Sequence, residues 1–277
     1  MKYALRLTSI LTFLILLSFS VYSHEGLSVS TSNVMPWGIE RADGNHQGML
    51  VKFAQEFSDE LQQPITNRLR PYPRVLLDIN RGNADLAVLF KSPNSEEIGI
   101  SLGQVAEVSI IAVGKMQHNA ISSLDQLEGE RIAYVRGSKY GPAFDDHPAL
   151  DKVPVKNMNQ GLRMLMRDHV DVVISTDQSI FYGIDTLGID PEKLKRVYLL
   201  ATAKADLYLS KKSTHQHRVK EFRAVVKRLH EKGVLNRIFY DQDYISSKHL
   251  NKESRFSPYD LQPLSLEKKL YLSALDN

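Results

Sequence analysis

A few short stretches of this 277-residue chain carry side chains able to hold a small molecule. Trp37, the only tryptophan, lies in Met35-Pro36-Trp37-Gly38, directly after an alternating run, Leu27–Thr31, that reads as a strand. A lone tryptophan is most often core. Arg136-Gly137-Ser138 follows the apolar run Ile132–Val135 and precedes a helix expected near Tyr140. Backbone N–H groups and a hydroxyl at such a turn suit an anion, because helix N-termini carry partial positive charge. A plain strand-to-helix turn explains the same residues. Asp177 follows the run Val172–Ile174 and would cap a helix over Gln178–Leu187. Tyr72 and Arg74 open another helix, from which Arg74 either reaches a cleft or stays exposed. His215 and His217 have the types of a metal pair, but two imidazoles at a polar helix start are usually solvated. No nucleophile elbow, P-loop or zinc-protease motif is present, so binding is favoured over bond making.

The elements that must position these residues are written twice. Residues 81–88 read Arg-Gly-Asn-Ala-Asp-Leu-Ala-Val and residues 167–174 read Arg-Asp-His-Val-Asp-Val-Val-Ile. Each follows an amphipathic helical stretch, with Val75, Leu76 and Ile79 in the first and Leu162, Leu165 and Met166 in the second. Each runs into an apolar strand, Leu86–Phe90 or Val172–Ile174. Helix, polar turn and buried strand form half of a βαβ unit. Its appearance in both halves predicts two α/β lobes of similar build, and clefts between lobes are favoured small-molecule sites. In both copies the aspartate, Asp85 or Asp171, is expected to fix the turn before the strand.

Around these units the chain predicts a helix over Gly48–Leu61, a strand over Pro64–Leu69, a strand over Val108–Val113 and a capped turn over 123–129. Val197–Ala201 is an apolar stretch and Leu207–Leu209 a further short strand, followed by a long helix over Thr214–Lys232. Past Lys248 the composition turns polar, which predicts a peripheral tail over 248–277.

The first residues bound the compartment. Lys2 and Arg6 precede an apolar run, Ile10–Phe19, and Val21-Tyr22-Ser23 is a small-residue cleavage pattern. This predicts a secretory signal peptide over 1–23, cleaved after Ser23, and a periplasmic protein. His24 would then be the first residue, a copper chelator only if a second histidine were suitably placed. Loss of Lys2 and Arg6 lowers the formal charge from +3 to +1, so charge gives no argument for nucleic acid. Without cysteine there is no disulfide framework, and the core must hold the fold.

Four stretches carry a resemblance to a known family. They are Pro71-Tyr72 with Val75-Leu76, Ile79, Gly82 and Asp85; Ser123-Leu124, Leu127, Gly129 and Ile132-Ala133 running to Arg136-Gly137-Ser138; Val170–Ile174 with Asp177; and Phe222, Val225, Leu229, Gly233-Val234-Leu235 and Ile238. In this order they resemble the type-3 periplasmic solute-binding proteins, typified by polar amino-acid receptors of ABC importers. The resemblance spans about residues 29–240. It implies an α/β, two-lobed, Venus-flytrap fold of periplasmic binding protein type II. Lobe 1 would hold 24–110 and return over 206–247, lobe 2 would hold 111–205, and two hinge segments would lie near Ile111–Lys115 and Thr202–Asp206. It implies capture of a small polar solute, amino-acid-like or another small anion, by hinge closure. It also implies a monomer working with an inner-membrane ABC permease, without cofactor or metal. An aromatic platform at Trp37 and an acid at Asp177 accepting a ligand amino group follow from the same resemblance.

Two departures bear on the ligand. The family's carboxylate-clamping arginine is absent: the region reads Phe90-Lys91-Ser92-Pro93-Asn94-Ser95-Glu96-Glu97. Lys91 offers a point charge but not a fork. The acid common in the first helix is here Lys52. Anchoring is therefore expected from Arg74, Arg136 or the N–H groups around Ser138, with Tyr72 and Lys91 also among the ligand-binding residues. Two alternatives share the fold: a dehydratase resembling cyclohexadienyl dehydratase, with Asp177 or Glu107 as general acid, and a solute-sensing accessory protein.

Overall fold

The computed structural model describes residues 26–240. The expected signal peptide, His24 and the expected tail over 248–277 lie outside the described residues.

Each half of the chain builds its sheet in the same order. The first half contributes β1 (Leu27–Ser32), the two-residue hairpin strands β2 (Ile39–Glu40) and β3 (His46–Gln47), and helix α1 (Met49–Leu61). It continues with β4 (Ile65–Arg70), α2 (Tyr72–Arg81), β5 (Leu86–Phe90) and α3 (Pro93–Ile98). The long strand β6 (Gly99–Lys115) then leads into β7 (Arg131–Val135), α4 (Pro142–Asp145), β8 (Asp151–Val155), α5 (Met158–Met166), β9 (Val172–Thr176) and α6 (Asp177–Leu187). A second long strand, β10 (Leu194–Ser210), returns to α7 (Val219–Glu231) and α8 (Val234–Phe239). One sheet runs β4-β1-β5-β10-β6-β9-β7-β8. From either end the order is second strand, first strand, third strand, then the shared pair β6 and β10. The repeated helix–turn–strand units are α2–β5 and α5–β9, and they occupy equivalent places in the two halves.

The repeated aspartates explain why both copies keep the same turn. Asp85 Oδ2 accepts from Ser28 N at 2.9 Å and Ser28 Oγ at 2.7 Å, and Asp85 Oδ1 accepts from Ser213 Oγ at 2.6 Å. Asp171 Oδ2 accepts from Arg131 N at 2.8 Å, and both its oxygens meet the Arg131 guanidinium. Each acid thus ties the turn before the third strand to the start of the first strand of its own half.

The core is divided in the same way. One cluster joins Leu27, Phe53, Phe57 and Leu86 to Phe222, Val225, Leu229 and Ile238. The other face of that sheet buries Val75 and Ile79 of α2 against Leu89 and Tyr208. In the second half, Leu162 and Leu165 of α5 meet Ile180 and Ile184 of α6 over one face, and Leu127, Tyr140 and Phe144 cover the other. Each fully buried aliphatic or aromatic side chain of this kind contributes about 1.5–3 kcal/mol.

Only β6 and β10 carry the sheet from one half into the other. They pair antiparallel from Gly99↔Ser210 to Lys115↔Leu194, so Val197–Ala201 and Leu207–Leu209 are one 17-residue strand rather than two pieces. β9 takes the far side of β6 only at Ile110–Gly114, and β5 takes the far side of β10 only at Ala205–Leu209. Between them lies a two-stranded ribbon, Ala106–Ser109 against Thr202–Ala205, with register shifts at both ends. Ile111–Lys115, expected as a crossing segment, is therefore embedded in the second half's sheet through Ile111–Gly114. The apolar run continues through the crossing, so nothing in its composition marks the boundary.

Candidate functional site

Parallel strands of both halves end at one cavity. β1 delivers Ser32, β5 delivers Val88–Phe90, the turn after β7 delivers Ser138–Tyr140, and β9 delivers Ser175 and Thr176. Carboxyl ends of parallel strands are where open α/β sheets bind ligands, because the loops there are free to vary while the strands hold them rigid.

The first half supplies an apolar wall. Trp37 is only 6 % exposed, edge-on to Phe90 and tilted against Phe239, with ring centroids 6.0 Å apart in both pairs. It belongs to the core and also lines the cleft. Its loop is held by α1, whose first N–H groups donate to Pro36 O at 3.1 Å (Met49) and Trp37 O at 2.8 Å (Leu50). That approach requires Gly48, at φ 110°, because a Cβ there would stand 2.7–2.9 Å from the backbone of Pro36, Trp37 and Gly38. Tyr72, the first residue of α2, lines the same wall, and burial pushes its phenol up to about 12, so it stays a neutral donor.

The second half supplies a hydroxyl wall. Tyr140 Oη lies 3.3 Å from Ser175 Oγ. Thr176 caps α6 by accepting from Ser179 N at 3.4 Å and donates its own hydroxyl to Ser179 Oγ at 3.0 Å. Lys139, exposed at the rim, is the one charged residue among the described lining residues.

Of the residues singled out in the sequence, Trp37, Tyr72 and Ser138 meet in this cleft. Arg74, Lys91 and Arg136 are exposed and line none of it. Lys91 pairs with Glu96 at 3.5 Å, both side chains more than half exposed. Asp177 is buried, next to the lining residue Thr176 but turned away: Oδ2 accepts from Ser109 N of β6 at 3.1 Å and Oδ1 from Gln178 N at 2.7 Å. Burial pushes its carboxyl up to about 6, against the lowering effect of those two N–H bonds. The N-cap of α6 is Thr176, not Asp177. Three N–H groups around Ser138 are committed: Arg136 N to Val155 O, Ser138 N to Val135 O and Tyr140 N to Asp145.

The residues missed are Lys139, Tyr140, Ser175, Thr176 and Ser179. Ser175-Thr176 closes the apolar run of β9, the position where a strand meets its cleft, and that was their signal.

Neither Asp nor Glu nor His is among the described lining residues. Glu107, the other candidate acid, lies half-buried on the two-stranded ribbon outside the lining. Away from the cleft, Asp125, Glu128 and His147 lie close enough to share an ion. His147 Nε2 already meets Asp125 Oδ1 at 3.0 Å while Nδ1 accepts from Ala149 N at 3.3 Å, which satisfies the ring without a metal. His215 and His217 stack with ring centroids 6.4 Å apart, and His217 Nδ1 faces Thr214 O at 3.1 Å.

The fold is that of the two-lobed periplasmic solute-binding proteins. Among solved structures of that fold the chain is similar to a mutant of ArgBP from T. maritima (TM-score 0.64, 13 % identity, 78 % of this chain and 95 % of that one). It is similar to the substrate-binding protein of an amino acid ABC transporter (TM-score 0.63, 13 % identity, 78 % and 99 %). It is also similar to a histidine kinase sensor domain with similarity to periplasmic binding proteins (TM-score 0.64, 14 % identity, 78 % and 94 %). No family model and no curated protein sequence matches the chain.

Proposed function

We propose that this chain is a periplasmic solute receptor that captures a small molecule between its lobes by hinge closure and hands it to an ABC permease. The observation that carries the reading is one cavity walled by facing strand ends from two equivalent halves, between which the chain crosses only along β6 and β10. The lobes of this reading are 24–110 with 206–247, and 111–205, and the bending segment is 106–109 with 202–205. Rotation about a two-stranded ribbon disturbs few contacts, and closure buries the ligand. The likeness to a substrate-binding protein of an ABC transporter supports the transport role. The basic and apolar start of the chain supports export, with cleavage after Ser23. In this reading the protein works as a monomer, without nucleic acid, metal or cofactor.

Neither Asp177 nor Glu107, the acids expected for the dehydratase, is among the described lining residues, which favours the receptor. The solute-sensing accessory is the second reading, supported by the likeness to a kinase sensor domain.

Small-angle scattering tests the main reading. Protein purified natively and then stripped of ligand should show a larger radius of gyration than the same protein with its co-purified solute restored. Mass spectrometry should return that solute unchanged. Its time-dependent conversion would support the dehydratase instead, and an identical scattering profile with binding proved separately would remove the hinge.

A further inference from the structure

Resting on the solute-receptor reading, we infer that the cleft takes a small organic monoanion with an apolar body and no ammonium group. The two walls divide the ligand between them. Trp37, Tyr72, Phe90 and Leu50 offer aromatic and aliphatic surface, which suits a hydrocarbon body rather than a polyol or a peptide. The opposite wall is neutral and hydroxylic. Ser179 Oγ accepts from Thr176, which leaves its own proton to give, and the Tyr140–Ser175 pair shares one proton and keeps another. Hydroxyl donors satisfy an anionic head, and Lys139 at the rim supplies the opposite charge.

The amino group of a zwitterion has no place in this arrangement. Among the described lining residues there is no carboxylate to receive it. Asp177, next in sequence to the lining residue Thr176, is 3 % exposed and spends one oxygen on Ser109 N and the other on Gln178 N. Turning it towards the cleft would strand both N–H groups. An ammonium buried without a carboxylate carries a desolvation cost that ring faces and hydroxyl oxygens repay only in part. Without a guanidinium fork the head is held by separate point donors, so one negative charge suffices.

The test is isothermal titration of ligand-stripped protein with two matched sets: 3-phenylpropanoate, L-phenylalanine and phenethylamine, then 4-methylpentanoate, L-leucine and isopentylamine. In at least one set the carboxylate should bind at least tenfold tighter than its α-amino counterpart, with no binding of the amine. Lys139→Gln and Ser179→Ala should each weaken that carboxylate about tenfold, the scale of one charge-assisted hydrogen bond. The melting temperature of the unliganded protein should hold in Lys139→Gln; Ser179→Ala, which removes the acceptor of the Thr176 hydroxyl, should melt a few degrees lower but still cooperatively. An amino acid or amine binding as tightly as the acid overturns the inference and leaves the receptor reading standing. The same holds if no compound in the sets binds and the co-purified solute carries an amine. If nothing binds and nothing co-purifies, both readings fall.

Discussion

Trp37 shows how one side chain can serve core and cleft at once. Its rings pack on Phe90 and Phe239, and it also lines the cavity. Trp37→Ala should therefore weaken ligand binding by about 1–3 kcal/mol and also lower stability, a combined loss that titration calorimetry and denaturant unfolding separate. Asp177 gives a second residue-scale expectation. Burial raises its pKa from 3.8 to about 6, so the folded state binds a proton that the unfolded state releases earlier. Its contribution to stability is then fully present below pH 3.8 and is lost as pH rises through about 6. The loss amounts to about 3 kcal/mol. Urea unfolding from pH 3.5 to 7 should show that slope, and Asp177→Asn should flatten it. The asparagine protein should also be less stable at low pH, because its amide N–H faces a backbone N–H of Ser109 or Gln178. An unchanged slope in the variant would assign the pH dependence elsewhere. Tyr72 and Ser138 were legible because they sit at a helix start and in the turn after a strand, and Trp37 through the resemblance. Arg74, Lys91 and Arg136 sit at such ends too, but charge there is as well served by water, and spacing alone does not say which way a long side chain turns.

The elements were legible where periodicity is strong, and the repeated unit carried most of the architecture. Helix, turn and strand recur because each half needs the same tie between its third and first strands, made by Asp85 and Asp171. Asp85→Ala would leave Ser28 N and the hydroxyls of Ser28 and Ser213 without their acceptor. A loss of about 2–4 kcal/mol is expected in denaturant unfolding, with ligand affinity per folded molecule unchanged. A smaller tie crosses the ribbon: Glu107 N donates to Tyr240 Oη at 2.6 Å, and Tyr240 Oη donates to Glu107 O at 3.1 Å. Tyr240→Phe strands that N–H and should cost about 1–3 kcal/mol by the same measurement. No periodicity announces this pair, since the two residues are 133 positions apart. The 17-residue strands were cut short in the sequence because Gly103, polar Gln104 and Glu107, and the run Thr202–Asp206 interrupt the apolar pattern. Those interruptions fall at bulges and at the ribbon, where the strands are paired on one side only.

At the scale of the whole molecule the two halves touch across the cleft as well as through the ribbon. Gly137, in the turn after β7, has φ +80°, and a Cβ built on it would lie 3.0 Å from Pro73 Cγ in the first turn of α2. One half thus meets the other at a point where a methyl group would be tight, and Arg136-Gly137-Ser138 matters for its glycine as much as for its charge. Gly137→Ala adds left-handed strain and a contact tighter than packed side chains normally make, and the contact is relieved by parting the lobes. Closure and binding share one equilibrium, so an opening bias of about 1–2 kcal/mol should appear as a roughly five- to thirtyfold weaker apparent affinity. Scattering from saturated Gly137→Ala protein should still show the compact profile, reached at higher ligand concentration. A Pro73→Ala partner variant should restore part of the affinity by making room for the new methyl group. If Gly137→Ala binds as tightly as the parent, the turn does not bear on closure. If it weakens binding and Pro73→Ala restores nothing, the loss comes from backbone strain at residue 137 and the contact across the cleft carries none of it.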